Sequence, residues 1–187
     1  GPKQRLLAEH IRDSALAGSG LLNRTIGGPS VKTYQPAGLW EASGTGKKYV
    51  QDTGDKLYRR SLYTFWRRIV GPTMFFDNTT RQTCYVRAIR TNTPLHALTT
   101  LNDVQYVEAA RALAQRVMLA ENDDAARLTL AFRLVVARDA KPGEKTILSQ
   151  RLEYLKTQFR EEPGAAGRLL ASGESKRDER LDADDHA

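Results

Sequence analysis

Cysteine is the scarcest residue of interest. Cys84 is the only one in 187 residues, which excludes a disulfide framework and an all-cysteine metal site. There is no CxxCH, so this chain carries no covalently bound c-type haem. A lone cysteine reads as a small buried hydrophobe, since a nucleophile needs a nearby base. Histidine is almost as rare, with His10, His96 and His186 the full set. On separate elements and without placed carboxylates, they form no metal signature. Long apolar runs are missing too. LVVA at 134–137 sits between Arg133 and Arg138, far short of the roughly 18 residues a membrane span requires. P-loop, GxGxxG, HExxH and GxSxG motifs are all absent. GTG at 44–46 precedes two lysines but lacks the spacing and the strand–loop–helix setting of a phosphate cradle.

The charge balance is +7. That is compatible with a polyanionic partner, but the basic residues are scattered along the chain, which points to a generally basic surface. Gly1 and Pro2 read as an expression scar. Residues 3–162 are expected to form a single helical domain, the C-terminal fragment of a larger protein, followed by a flexible charged tail over 163–187.

The fold class expected is mainly α, with a long ordered Gly-rich loop and a possible short β-pair. Residues 5–18 place Leu7, Ile11 and Ala15 on one helical face, and Gly18 and Gly20 supply the stop. Residues 23–56 are dense in Gly and Pro but carry Tyr34, Trp40 and Tyr49, rings that would pin a loop to the body. Residues 57–70 are ambiguous: ring and hydroxyl content suits a strand, whereas spacing favours a helix. Residues 84–89 suit a short extended piece. From Pro94 the pattern is helical. Thr93 caps a helix over 93–101 with Leu95 and Leu98 turned inward, and a second follows over 104–119. A third is capped by Asn122, with Leu128, Phe132 and Val135 as its stripe. A fourth spans 141–159.

Three groups of residues could bind a ligand. Arg87, Arg90, Thr91 and Asn92 precede a helix N-terminus, where free N–H groups and a guanidinium can hold a carboxylate, sulfate or phosphate. The alternative is an internal partner for Arg90 and simple capping by Thr93. Lys32, Tyr34, Gln35 and Trp40 could form a carbohydrate platform, or the two rings could be buried anchors. Arg59, Arg60, Arg67 and Arg68 alternate with Tyr58, Tyr63 and Trp66, as in single-strand nucleic-acid binders, or they form a solvated face. Nucleic acid is the less favoured partner.

Five stretches then act together: RLLAEHIRDSALAGSGLL at 5–22, GGPSVKTYQPAGLW at 27–40, YVQDTGDKLYRRSLYTFWRR at 49–68, RTNTPLHALTTLNDVQYVEAARALAQR at 90–116 and AFRLVVAR at 131–138. Their order and wording resemble the planctomycete-specific C-terminal domain, a domain of unknown function in large cytochrome c-like proteins of planctomycetes. The resemblance covers about residues 5–160. It implies a periplasmic or exported parent with haem c in another module, and upstream domains of the same polypeptide as partners, with polysaccharide a further candidate. It suggests a non-catalytic binding or scaffolding module, or a share in a composite active site of a carbohydrate-active redox enzyme. This chain departs from the family pattern at His96, where Gln is usual, and at Ala88, where a second Arg is usual.

Overall fold

The structure is a computed structural model that describes residues 5–44, 46, 48–67, 70–77, 84, 86 and 90–187. Its architecture is mainly helical. In chain order the α-helices are α1 (Ala8–Ser19), α2 (Leu39–Ala42), α3 (Pro94–Asn102), α4 (Val104–Ala120), α5 (Asp124–Val136), α6 (Pro142–Glu161), α7 (Ala165–Leu170) and α8 (Ala183–His186). Among the described residues, β pairing is limited to two isolated parallel bridges, Asn23 with Arg59 and Val31 with Thr64. No helix among them is long and apolar enough to cross a membrane.

By backbone proximity the chain forms two compact units. One comprises Gly1–Ser14 and Leu22–Tyr106, the other Ala15–Leu21 and Val107–Ala187. The boundary therefore falls inside α1 and inside α4.

In the first unit Val31, Tyr34, Trp40, Leu57, Met74 and Phe75 are buried. Arg12 of α1 is buried with them, at 0 % exposure. Its Nη1 donates to the Arg59 carbonyl (2.8 Å) and to Ser61 Oγ (3.2 Å), and its Nη2 to the Leu57 carbonyl (2.8 Å) and Gln105 Oε1 (3.0 Å). Those bonds explain why residues 57–70 are not the helix their spacing suggests. The carbonyls an α-helix would offer to its own amides are taken by Arg12. Likewise the Ser61 amide donates to Asp13 Oδ1, and the Tyr63 carbonyl accepts from Val31 N. The segment settles into 3₁₀ turns at Gly54–Tyr58 and Ser61–Tyr63, separated by extended residues. Arg68 and Ile69 lie outside the described residues.

Four local expectations change. Leu95 and Leu98 of α3 face solvent at 69 % and 57 % exposure, and Leu101 is exposed beside them. The buried residue on α3 is His96. In α4 the apolar spacing predicts Val107, Ala110, Leu113, Ala114 and Val117 inward, whereas Ala110 is exposed and the buried side includes Glu108 and Arg111 as well as Ala109 and Val117. The cap of α5 is Asp123, whose Oδ1 accepts from Ala126 N at 2.9 Å, rather than Asn122. Cys84 is exposed rather than buried.

The second unit is built from α5, α6, α7 and α8 with the later part of α4. Arg116 donates to the Gly18 carbonyl at 2.7 Å, a cation on the last turn of α1, where orphan carbonyls gather. Residues 163–187, expected as a flexible charged tail, hold α7 and α8, with Leu170 and His186 buried. Glu108 Oε1 accepts from Ser175 N at 2.6 Å, Gln115 Oε1 accepts from Asp178 N at 2.7 Å, and His186 Nε2 donates to the Arg111 carbonyl at 3.0 Å. Polar side chains of α4 anchor this charged segment.

Candidate functional site

The polar shoulder before α3 holds an anion, and that anion belongs to the chain. Asp77 Oδ2 accepts from Thr91 N at 2.7 Å, and its Oδ1 accepts from Thr91 Oγ1. His96 Nε2 lies 3.5 Å from Asp77 Oδ1, while its Nδ1 faces Arg5 Nη2 at 3.0 Å, and its ring stacks on Phe76 at 4.3 Å. Asn92 Oδ1 accepts from Arg5 Nη1, and Arg90 Nη1 donates to the Arg5 carbonyl at 2.8 Å. Desolvation pushes the Asp77 carboxyl upward, but the Thr91 hydrogen bonds and the His96 and Arg5 charges outweigh it and hold its pKa below the ordinary value. Asp77 has φ 60°, in the left-handed region that Asp tolerates better than most residues. Arg87 and Ala88 lie outside the described residues. His96 also completes a capping box with Thr93.

In the second group the two rings are buried and Lys32 and Gln35 are half-buried. Tyr34 and Trp40 are 9 % and 5 % exposed. Trp40 Nε1 donates to Gln35 Oε1 at 2.7 Å, and Gln35 Nε2 donates to the Gly71 carbonyl. Trp40 also meets Tyr49 and Phe65 ring to ring and lies under the Arg67 guanidinium. Lys32 Nζ sits 5.8 Å from the Phe65 ring centroid, and the Lys32 amide donates to Asp52 Oδ2. These contacts place the four residues in a loop-anchoring cluster.

The described arginines of the basic row take separate tasks. Arg59 is buried, donates to the Pro29, Thr25 and Gly27 carbonyls, and stacks on Tyr63 at 3.9 Å. Tyr63 Oη in turn accepts from Gly27 N at 2.8 Å. The pair staples residues 25–29, and Arg67 covers Trp40, so neither belongs to a shared open face.

Arg60 remains exposed and leads to a site that motif reading missed. It lines a cleft of about 360 Å³ in the first unit together with Glu9, His10 and Asp13 of α1, Trp66 and Phe75. Trp66 and Phe75 stack at 5.9 Å, 18° from parallel, and form the apolar wall. Gly71 makes this wall possible, because a Cβ there would lie 2.9 Å from Trp66 Cζ2. Asp13 is held by the Ser61 hydroxyl at 2.6 Å and lies 3.6 Å from Arg12. The side chains of Glu9, His10 and Arg60 make no hydrogen bond or ion pair among the described residues. A signal was available in the sequence: Glu9 and Asp13 are one helical turn apart and flank His10. As surface charges they have no evident role until Arg60, Trp66 and Phe75 are placed beside them. Among the described residues no group of three His, Cys, Asp or Glu side chains is placed to hold a metal. The arrangement suits hydrogen bonding and ring packing against a polar ligand.

No curated protein and no solved structure matches the chain. One family profile does: PSD1, described as a protein of unknown function (DUF1553), matches residues 1–152. That span contains the cleft, the Asp77–Thr91 shoulder and the Arg12 hub, and it is most of the 187 residues. The chain therefore belongs to the PSD1 family of proteins of unknown function (DUF1553).

Proposed function

We propose that this chain is a non-catalytic binding module of an exported, haem c-containing protein, and that the cleft of Glu9, His10, Arg60 and Trp66 receives a carbohydrate. The observation that carries the reading is three unpaired polar side chains converging beside an aromatic wall. Sugars present hydroxyl edges and apolar C–H faces, and a site of this composition addresses both. The exported, haem-bearing context rests on the resemblance of residues 5–160. The haem itself attaches elsewhere in the parent, because this chain has no CxxCH. The exposed leucines of α3 support the scaffolding part of the role, as a ridge for the upstream domains of the same polypeptide.

Titration calorimetry with neutral and sulfated oligosaccharides, on this chain and on the full-length parent at low salt, tests the proposal. Saturable binding that weakens about tenfold or more in Glu9→Gln or Arg60→Ala is the expected result. Absence of binding by either protein sinks it. The two carboxylates lining the cleft favour one second reading, a share in a composite active site completed by the upstream region. In that case Glu9→Gln abolishes turnover by the full-length protein while leaving glycan affinity intact.

A further inference from the structure

The second unit contains an open apolar pocket of about 220 Å³ lined by residues of α4, α5, α6 and α8. Backbone packing is close between α5 and α6 and between α6 and α8, and α4 faces this group across the pocket. Residue size accounts for the gap. Ala110 and Ala114 of α4 and Ala131 of α5 are too short to fill it. Leucines of three helices, with Met118, make the remaining wall apolar, and Val117, 6 % exposed, closes the floor. Ala110 is exposed, so the pocket opens to solvent, yet its apolar lining gives the water inside it few partners. An apolar group that displaces that water gains burial.

The rim narrows the ligand class. Lys156 Nζ lies 2.6 Å from Asp124 Oδ2 and 3.8 Å from Asp185 Oδ1, and Arg127 Nη1 lies 3.1 Å from Asp124 Oδ1. Arg160 Nη2 also bonds Asp185 Oδ1 at 2.7 Å, so each rim charge is already paired. An ionic ligand would have to break these pairs, whereas a neutral apolar one passes them.

We propose that this pocket is a binding site for a small neutral apolar ligand, of the size of one aromatic ring or a short alkyl chain. It is independent of the carbohydrate reading, which concerns the other unit. The chain has two methionines, and they divide the experiment cleanly. Met118 lines the pocket, while Met74 is fully buried in the first unit. In protein labelled with ¹³C at the methionine methyls, toluene should shift the Met118 signal saturably and leave Met74 unmoved. Ala131→Leu should fill the space, weaken toluene binding about tenfold or more and keep or raise the unfolding temperature. Ala114→Val, a smaller intrusion, reports instead if the first variant does not fold. The proposal is overturned by an unmoved Met118, by both methyls shifting together, or by undiminished binding in a folded pocket-filling variant. A Met118 shift that follows protein concentration without toluene also overturns it, since a second copy would then be the occupant.

Discussion

A guanidinium taken out of water must find a partner for nearly every N–H, and Arg12 finds four acceptors. Burial pushes its pKa down to about 10, against the pull of Asp13, so it remains charged at neutral pH. Lysine cannot reproduce the fork. Arg12→Lys should cost about 3 kcal/mol, read as a lower urea midpoint at unchanged slope. A loss under about 1 kcal/mol would show that the fork geometry is not what matters. Gly173 is the second decisive position. Its φ is +82°, and a Cβ there would lie 2.2 Å from Glu108 Cδ. Gly173→Ala should cost about 2 kcal/mol or more. Gly27, at φ +81° with nothing within 4 Å, isolates the conformational part. Gly27→Ala should cost only about 1 kcal/mol in the same denaturation series. Equal losses would deny the Glu108 contact any weight.

At the scale of elements, apolar residue type alone misleads in α3. Spacing puts Leu95 and Leu98 on a plausible core face, but the helix turns His96 inward because Phe76, Asp77 and Arg5 receive it. A buried leucine truncated to alanine costs about 2–5 kcal/mol. Leu98→Ala should cost about 0.5 kcal/mol or less, since the side chain is already 57 % exposed. Thermal unfolding of the variant checks this, and a large loss would place Leu98 in the core after all. The 57–70 segment teaches the same lesson from the polar side. Its helical spacing is real, yet its carbonyls serve Arg12 and the 23–31 stretch.

For the molecule as a whole, pH acts through the C-terminal segment. Burial pushes the His186 imidazole below its ordinary pKa. The bond to the Arg111 carbonyl opposes this, and the Arg111 and Arg177 charges add to it. Below about pH 6.5 the unfolded chain takes up a proton that the folded chain refuses. Stability should therefore fall as pH drops from about 6.5 towards the folded value and be insensitive to His186 above that. Urea midpoints at pH 7.5 and 5.5 test this, with His186→Gln expected to flatten the difference. An identical drop in the variant would assign it to other groups.

Much of the helical framework could be read directly. Thr93–Pro94 opens α3, Gly20 ends α1, and the apolar periods after Pro94 carry α3 to α6 within a few residues of their ends. Helix starts and stops depend on neighbours in sequence, so local chemistry suffices for them. The candidate site was legible only in its parts. Glu9, His10, Asp13, Arg60 and Trp66 are ordinary surface residues until a cleft brings them together across some fifty positions. Likewise Thr91 advertises an anion grip, but nothing local says that Asp77, fourteen residues earlier, occupies it. The charges of 163–187 look like a tail because their partners, Glu108, Arg111 and Gln115, lie more than sixty residues away. By itself the sequence determined the helical class, the family and most helix boundaries, because these follow from short-range periodicity, capping and wording. Only the tertiary structure decided which polar groups are buried, paired or left open, because a hydrogen-bond partner is chosen by position in space and not by distance along the chain.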